Sequence, residues 1–147
     1  MDKGPVHRPW GAGSKSMNGG RWSGRGGTPV SVSVLGLGIL GKAIALRLHS
    51  QGCAVTVWTR SQERKQEAAL AGLKVAPSAA TAVGDSTVLL LLLPDHPAID
   101  SVLFPPQGPL HLVGKTVVQM GTISANQSRT LSAACTKEGA HYLEAPV

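Results

Sequence analysis

The sequence predicts an α/β chain built on a doubly wound parallel sheet, and three observations carry that expectation. Short runs rich in Val, Leu and Ile recur between residues 30 and 147, separated by stretches of helical composition. The run Val88 to Leu93 is apolar without alternation, as suits a strand covered on both faces of a parallel sheet. Hydrophobic residues make up 42% of the chain but aromatic ones only 3%, so small aliphatic side chains must fill the core, which such a sheet tolerates. A length of 147 residues is one domain's worth of chain.

Taken in order, a buried strand is expected at Val30 to Leu35, then a glycine-rich turn, then a helix from Ile39 to Ser50 that Gly52 ends. Ala54 to Trp58 reads as the second strand. Gln62 to Ala71 reads as a helix closed by Gly72, with Ala68 and Leu70 toward the sheet and Glu63, Arg64, Lys65 and Glu67 toward water. Lys74-Val75 is a short strand and Ser78 to Val83 a short helix. The strand Ser86 to Leu93 ends at Pro94-Asp95, and a helix over Pro97 to Leu103 leads into the loop Phe104 to Pro109. Thr116 to Met120 is the fifth strand. Ser124 is placed to N-cap a helix from Ala125 to Lys137, which Gly139 terminates, and His141 to Leu143 is the last strand. Six strands alternating with helices predict the order 3-2-1-4-5-6. Right-handed crossovers then gather the strand C-termini, with Gly36, Arg60, Pro94, Thr122 and Glu144, on one edge.

The chemistry is concentrated at that edge. Gly36, Gly38 and Gly41 follow a strand and open a helix, at the spacing of a dinucleotide-binding turn. Gly36 allows a tight exit from the strand, Gly38 lets a pyrophosphate approach the backbone, and Gly41 lets the helix lie close to the sheet. Leu37, Ile39 and Leu40, between and beside the glycines, belong to the same cofactor-binding turn. The helix N-terminus beyond them offers free N–H groups to the phosphates. No acid ends the second strand, where an NAD site places one for the ribose 2′-OH. The chain reads Thr59-Arg60-Ser61 there, with Arg64 and Lys65 one turn on. Arg60 can grip a 2′-phosphate through its guanidinium fork, with bonds from the hydroxyls of Thr59 and Ser61, which favours NADP(H). The alternative leaves Arg60 in solvent and Ser61 as an N-cap.

The net charge of +6 is uneven. Before Pro29 there are five bases against one acid; from there on there are nine against seven. The basic character therefore belongs largely to residues 1–28, a Gly-, Ser- and Pro-rich tail read as disordered, with residues 29–147 forming the NAD(P)-binding domain. The single Arg25-Gly26-Gly27 in that tail does not make a nucleic-acid-binding chain. Cys53 and Cys135 have no metal or disulfide spacing and read as buried thiols of a reducing compartment. No apolar run is long enough to cross a bilayer, and the N-terminus lacks the apolar stretch of a secretory signal. The expected location is cytoplasmic, with mitochondrion or plastid as the alternative.

The stretches GLGILGKAIALRL, VTVWTRS, LLLPD, VVQMGTIS and YLEAPV together resemble the cofactor domain of the β-hydroxyacid dehydrogenases. That family includes 3-hydroxyisobutyrate dehydrogenase, the glyoxylate/succinic semialdehyde reductases and the N-terminal domain of 6-phosphogluconate dehydrogenase. The resemblance implies hydride transfer between NADPH and a small hydroxy or oxo acid, in a full-length protein expected to be a homo-oligomer. It assigns the pyrophosphate to the glycine turn, the 2′-phosphate to Arg60, the adenosine-to-nicotinamide path to Leu93 and Pro94, and the nicotinamide ribose side to Thr122. Gly121 stands where many members carry Ser, and Ala125 where most carry Pro. In the family, a substrate-carboxylate segment, a catalytic lysine and a helical domain follow, and no lysine of this sequence matches the catalytic one. His96 is weighed as a stand-in acid and read instead as a surface-loop residue. The chain therefore reads as the N-terminal domain of a reductase, its C-terminal helical domain absent. The alternative is a non-catalytic dinucleotide-binding module or sensor. An N-terminal domain alone would leave a sheet edge and face uncovered, so the purified chain is expected to self-associate. A clean monomer in sedimentation at moderate concentration would count against that reading.

Overall fold

The strand β1 (Ser31–Leu35) lies inside a six-stranded parallel sheet, and the rest of the chain winds outward from it in both directions. The computed structural model describes residues 29–147 together with 17–18 and 21–22. After β1 come α1 (Ile39–Ser50), β2 (Ala54–Trp58), α2 (Gln62–Leu70), β3 (Lys74–Val75) and α3 (Ala79–Gly84). The second half holds β4 (Val88–Leu91), α4 (His96–Leu103), β5 (Thr116–Gln119), α5 (Ala125–Lys137) and β6 (His141–Glu144). The sheet order is β3-β2-β1-β4-β5-β6, the expected 3-2-1-4-5-6. In register, Leu35 stands beside Trp58 on one side and Leu91 on the other, which sets the ends of the three central strands level.

Alternation along β1 divides the core in two. Leu35 joins Leu89, Leu91 and Val117 in one cluster, closed by Ala82 and Val83 of α3, Ile99, Val102 and Leu103 of α4, and Leu131 and Cys135 of α5. Val34 joins Val55 and Val57 in the other, closed by Ala45 of α1 and Ala68 of α2. Three helices thus cover one face and two the other. The apolar positions of α4 fall at i, i+3 and i+4, the spacing of one helical face.

The expected caps at Ser61 and Ser124 form, and Ser78 and Asp95, expected as a helix start and a strand end, add two more. Ser61, Ser78, Asp95 and Ser124 N-cap their helices, each accepting a backbone N–H three residues on, and Gln127 completes a capping box with Ser124. Gly52, Gly72 and Gly139 follow α1, α2 and α5 with positive φ.

Three expectations need correction. The fourth strand is shorter than Ser86 to Leu93, and it alternates: Leu89 and Leu91 are wholly buried, Val88 and Leu90 only partly. The helices following β4 and β5 both pack on the Leu91 side, so the opposite side of these strands is less covered. Leu70 is 89% exposed instead of facing the sheet, because Ala68 takes the sheet-facing position and a residue two places on points elsewhere. His96 is no loop residue; it is the first residue of α4. Within the tail, Met17–Asn18 pairs antiparallel with Arg21–Trp22. The rest of the expected disordered segment lies outside the described residues. Among the described residues, no helix is long and apolar enough to cross a membrane.

A buried polar cluster ties the N-terminal edge of the sheet. Ser33 Oγ donates to the Ala82 carbonyl at 2.5 Å and lies 2.6 Å from Ser86 Oγ. Lys115 Nζ donates to the Ser86 carbonyl at 2.5 Å. Burial lowers the Lys115 pKa, with Asp85 opposing that shift. The cluster links the end of α3 to β1 and to the entrances of β4 and β5.

Cys135 generates a prediction. Burial pushes its thiol up from 9.0 to about 11. The native state then keeps the proton over a range where the unfolded chain has lost it, so native proteins bind more protons there. Stability should fall as pH rises from about 9 to about 11 and level off above. Cys135→Ala should flatten that limb by up to about 3 kcal/mol. Denaturant midpoints of both proteins across this range test it; limbs of equal steepness would refute it.

Candidate cofactor site

The C-terminal ends of β1, β2 and β4 are knitted into one platform. Gly36 N–H donates to the Trp58 carbonyl at 2.9 Å, and Leu92 N–H donates to the Leu35 carbonyl at 2.9 Å. Gly36 has φ +107°, and a Cβ there would stand 2.4 Å from the Leu92 carbonyl oxygen. Neither the backbone angle nor the space admits a side chain. A Cβ at Gly41 would lie 2.0 Å from the Gly36 carbonyl oxygen, so the helix start packs on the turn itself as well as near the sheet. Gly38 differs: a Cβ there would meet nothing within 4 Å. Two of the three glycines are thus demanded by the chain's own packing, and the third faces open space. Gly38 is also the N-cap of α1 and makes no side-chain cap bond. Lys42 N–H is bonded to the Gly38 carbonyl, while the N–H groups before it have no carbonyl one turn back within the helix.

A cleft of about 380 Å³ opens beside this turn. Of the residues assigned from sequence, Gly36, Leu37, Gly38, Thr59, Arg60, Ser61, Leu93 and Pro94 line it together. Gly41 lies beneath it, packed on Gly36. Ile39 and Leu40 stand outside its wall at the head of α1, with Ile39 96% exposed. Thr122, on the turn after β5, is exposed and does not line it either. Ser61 is the N-cap of α2, accepting the Arg64 N–H at 3.3 Å, and lines the cleft as well. Thr59 is only 6% exposed and presents little surface to the cleft.

The opposite wall was not legible from sequence. It consists of Ala98 and Val102, one turn apart on α4; Trp58 and Leu92 at the strand ends and Arg64 on α2 complete the lining. The i, i+4 spacing on α4 signalled a helix face, but not which other element it would oppose. Arg60 crosses toward this wall: its Nη2 donates to Ser101 Oγ at 2.5 Å, and Ser101 Oγ donates to the Ala98 carbonyl at 2.9 Å. The cleft is lined by two arginines, Arg60 and Arg64, and by no acidic residue.

Two side chains near the strand ends, a half-buried His96 and a buried Gln119, each keep a buried polar atom without a partner. His96 places Nδ1 3.3 Å from Asp100 Oδ2, while its Nε2 is buried without a partner. Gln119 donates from its amide nitrogen to the Gly121 carbonyl at 3.2 Å, and its Oε1 is likewise without a partner. A Cβ at Gly121 would come 3.0 Å from the Leu93 carbonyl oxygen, so the turn after β5 is pressed against the end of β4. Among the described residues, no cluster of His, Cys, Asp or Glu could hold a metal ion.

A doubly wound parallel sheet with a glycine turn at its central strand, and a cleft between the ends of β2 and β4, is a nucleotide-binding Rossmann domain. Residues 31–147 match the family described as the NAD binding domain of 6-phosphogluconate dehydrogenase, and the chain belongs to that family. It is 34% identical over 120 residues to glyoxylate/succinic semialdehyde reductase 1 of Arabidopsis thaliana, covering 80% of this chain and 42% of that protein. It is 36% identical over 124 residues to the chloroplastic glyoxylate/succinic semialdehyde reductase 2 of the same plant, covering 80% of this chain and 34% of that protein. The chain thus spans less than half the length of these relatives. Among solved structures, the imine reductase from Aspergillus terreus in complex with NADPH4 superposes with a TM-score of 0.73 at 28% identity. That match covers 82% of this chain and 42% of the other.

The glycines make a graded prediction. Gly36→Ala and Gly41→Ala should each destabilise the fold by about 2 kcal/mol or more, because backbone must move in both. Gly38→Ala should leave the melting temperature unchanged within about a degree. Thermal unfolding of the three variants checks the ranking, and equal losses at all three positions would refute it.

Proposed function

We propose that this chain binds NADP(H) and serves a reductase that passes hydride between NADPH and a small carbonyl acid of the glyoxylate or semialdehyde type. The observation that carries the cofactor choice is the lining of the cleft: two arginines beside the end of β2, and no acidic residue to accept a ribose 2′-OH. The space beyond Gly38 and the bare N-terminus of α1 suit a pyrophosphate, since a missing Cβ leaves the backbone N–H groups accessible. Arg60 can meet a 2′-phosphate with paired N–H groups, and Arg64 adds charge from the first turn of α2, whose dipole has the same sign. Trp58, Leu92, Ala98 and Val102 supply the apolar surface for a purine ring.

The cofactor, when bound, supplies the hydride; the residues described supply binding, orientation and exclusion of water. Reduction of a carbonyl also needs a proton delivered to its oxygen. None of the cleft-lining residues is a carboxylic acid, histidine, lysine or tyrosine, so the proton donor belongs elsewhere. The substrate class is proposed from the two plant reductases, whose names state glyoxylate and succinic semialdehyde.

Calorimetric titration with NADPH and with NADH tests the cofactor choice. NADPH is expected to bind about tenfold or more tightly, a difference of about 1.4 kcal/mol. Arg60→Asp should abolish or reverse that preference while NADH binding persists. Equal affinities in the unaltered chain would overturn the NADP(H) reading.

A further inference from the structure

We propose that Ser101 is a positioning residue for cofactor selection: its hydroxyl holds the Arg60 guanidinium across the cleft, oriented to receive a 2′-phosphate. This rests on the NADP(H) reading and names the residue that makes it selective. Arg60 is an exposed side chain on a loop, and an unrestrained arginine there loses about 2 kcal/mol of rotamer freedom when it must hold one ligand. A contact that restrains it beforehand lowers that loss.

Ser101 is built to be that contact. A hydroxyl has one proton and two acceptor lone pairs. Ser101 Oγ donates its proton to the Ala98 carbonyl, one turn back on α4, which fixes the rotor and leaves a lone pair for the Nη2 of Arg60. The guanidinium carries five N–H donors in a planar fork, so one bond to serine leaves the others for phosphate oxygens. The partner is also neutral. A carboxylate in its place would hold Arg60 equally well and cancel the charge a phosphate needs. The nearest acid in sequence, Asp100, faces His96 at 3.3 Å. Ala98 and Val102, on either side of Ser101 along α4, line the same cleft, so the bond closes it from the α2 side to the α4 side.

The test uses Ser101→Ala, Ser101→Thr and Arg60→Leu, alone and with Ser101→Ala, each titrated with NADPH and with NADH. Ser101→Ala should lower the NADPH-to-NADH affinity ratio about threefold to tenfold, through NADPH alone. Ser101→Thr, which keeps the hydroxyl, should restore most of the ratio. In the Arg60→Leu background, Ser101→Ala should change nothing further. A ratio unchanged by Ser101→Ala, or raised because serine competes with the phosphate for Arg60, would overturn the proposal. So would equal weakening of both nucleotides, which marks a purely structural effect. If the unaltered chain prefers NADPH and Arg60→Leu removes the preference, the cofactor reading survives whatever Ser101→Ala does. If the unaltered chain shows no preference, both readings fall together.

Discussion

The rest of the structure depends on the close approach of the Gly41 backbone to the carbonyl of Gly36, with Gly36 itself pressed against Leu92. Those contacts bring the first turn of α1, the exit of β1 and the end of β4 within van der Waals reach of one another. Any side chain at either glycine would force them apart. Because they are together, α1 starts directly over the sheet edge, its N-terminus faces outward, and the only vacant volume in the turn lies at Gly38. A binding surface for an anion is thus what remains once the backbone has packed as closely as glycine permits.

The two edges of the sheet are organised differently. At the N-terminal edge, Ser33, Ser86 and Lys115 satisfy one another in a buried network that joins α3 to three strands. Polar groups there are consumed by the fold. At the C-terminal edge, polar groups are left over: a helix N-terminus without a side-chain cap and an arginine held by a neutral hydroxyl, while His96 and Gln119 each keep a buried atom without a partner. Buried polar atoms without partners are uncommon, and both lie beside the ends of β4 and β5.

Charge makes the site selective where shape alone would not. A glycine turn accepts the pyrophosphate common to NAD and NADP, so it cannot distinguish them. Discrimination has to come from the end of β2, where this chain presents Arg60 and Arg64 in place of a carboxylate. The cleft wall on α4 gives that charge a defined position, since its Ser101 lies within bonding distance of Arg60.

The sequence by itself determined the strand order, the Ser124 cap and the glycine turn, because each follows from the pattern along the chain: alternating β-branched and helical runs, Ser at an N-cap, and glycine spacing between a strand and a helix. Arg60 and Leu93-Pro94 were legible for the same reason, since they stand at strand ends that the topology must bring to one edge. What only the tertiary structure decided was how those ends are faced. Ala98, Ser101 and Val102 belong to an ordinary amphipathic helix in one dimension, and their opposition to Arg60 follows from α4 packing through Ile99, Val102 and Leu103 onto the sheet. Likewise Leu70 and Val88 carry apolar side chains that predict burial, yet their exposure is set by which helices cover which face. Neighbour chemistry along the chain is local, whereas the partner across a cleft depends on every crossover before it.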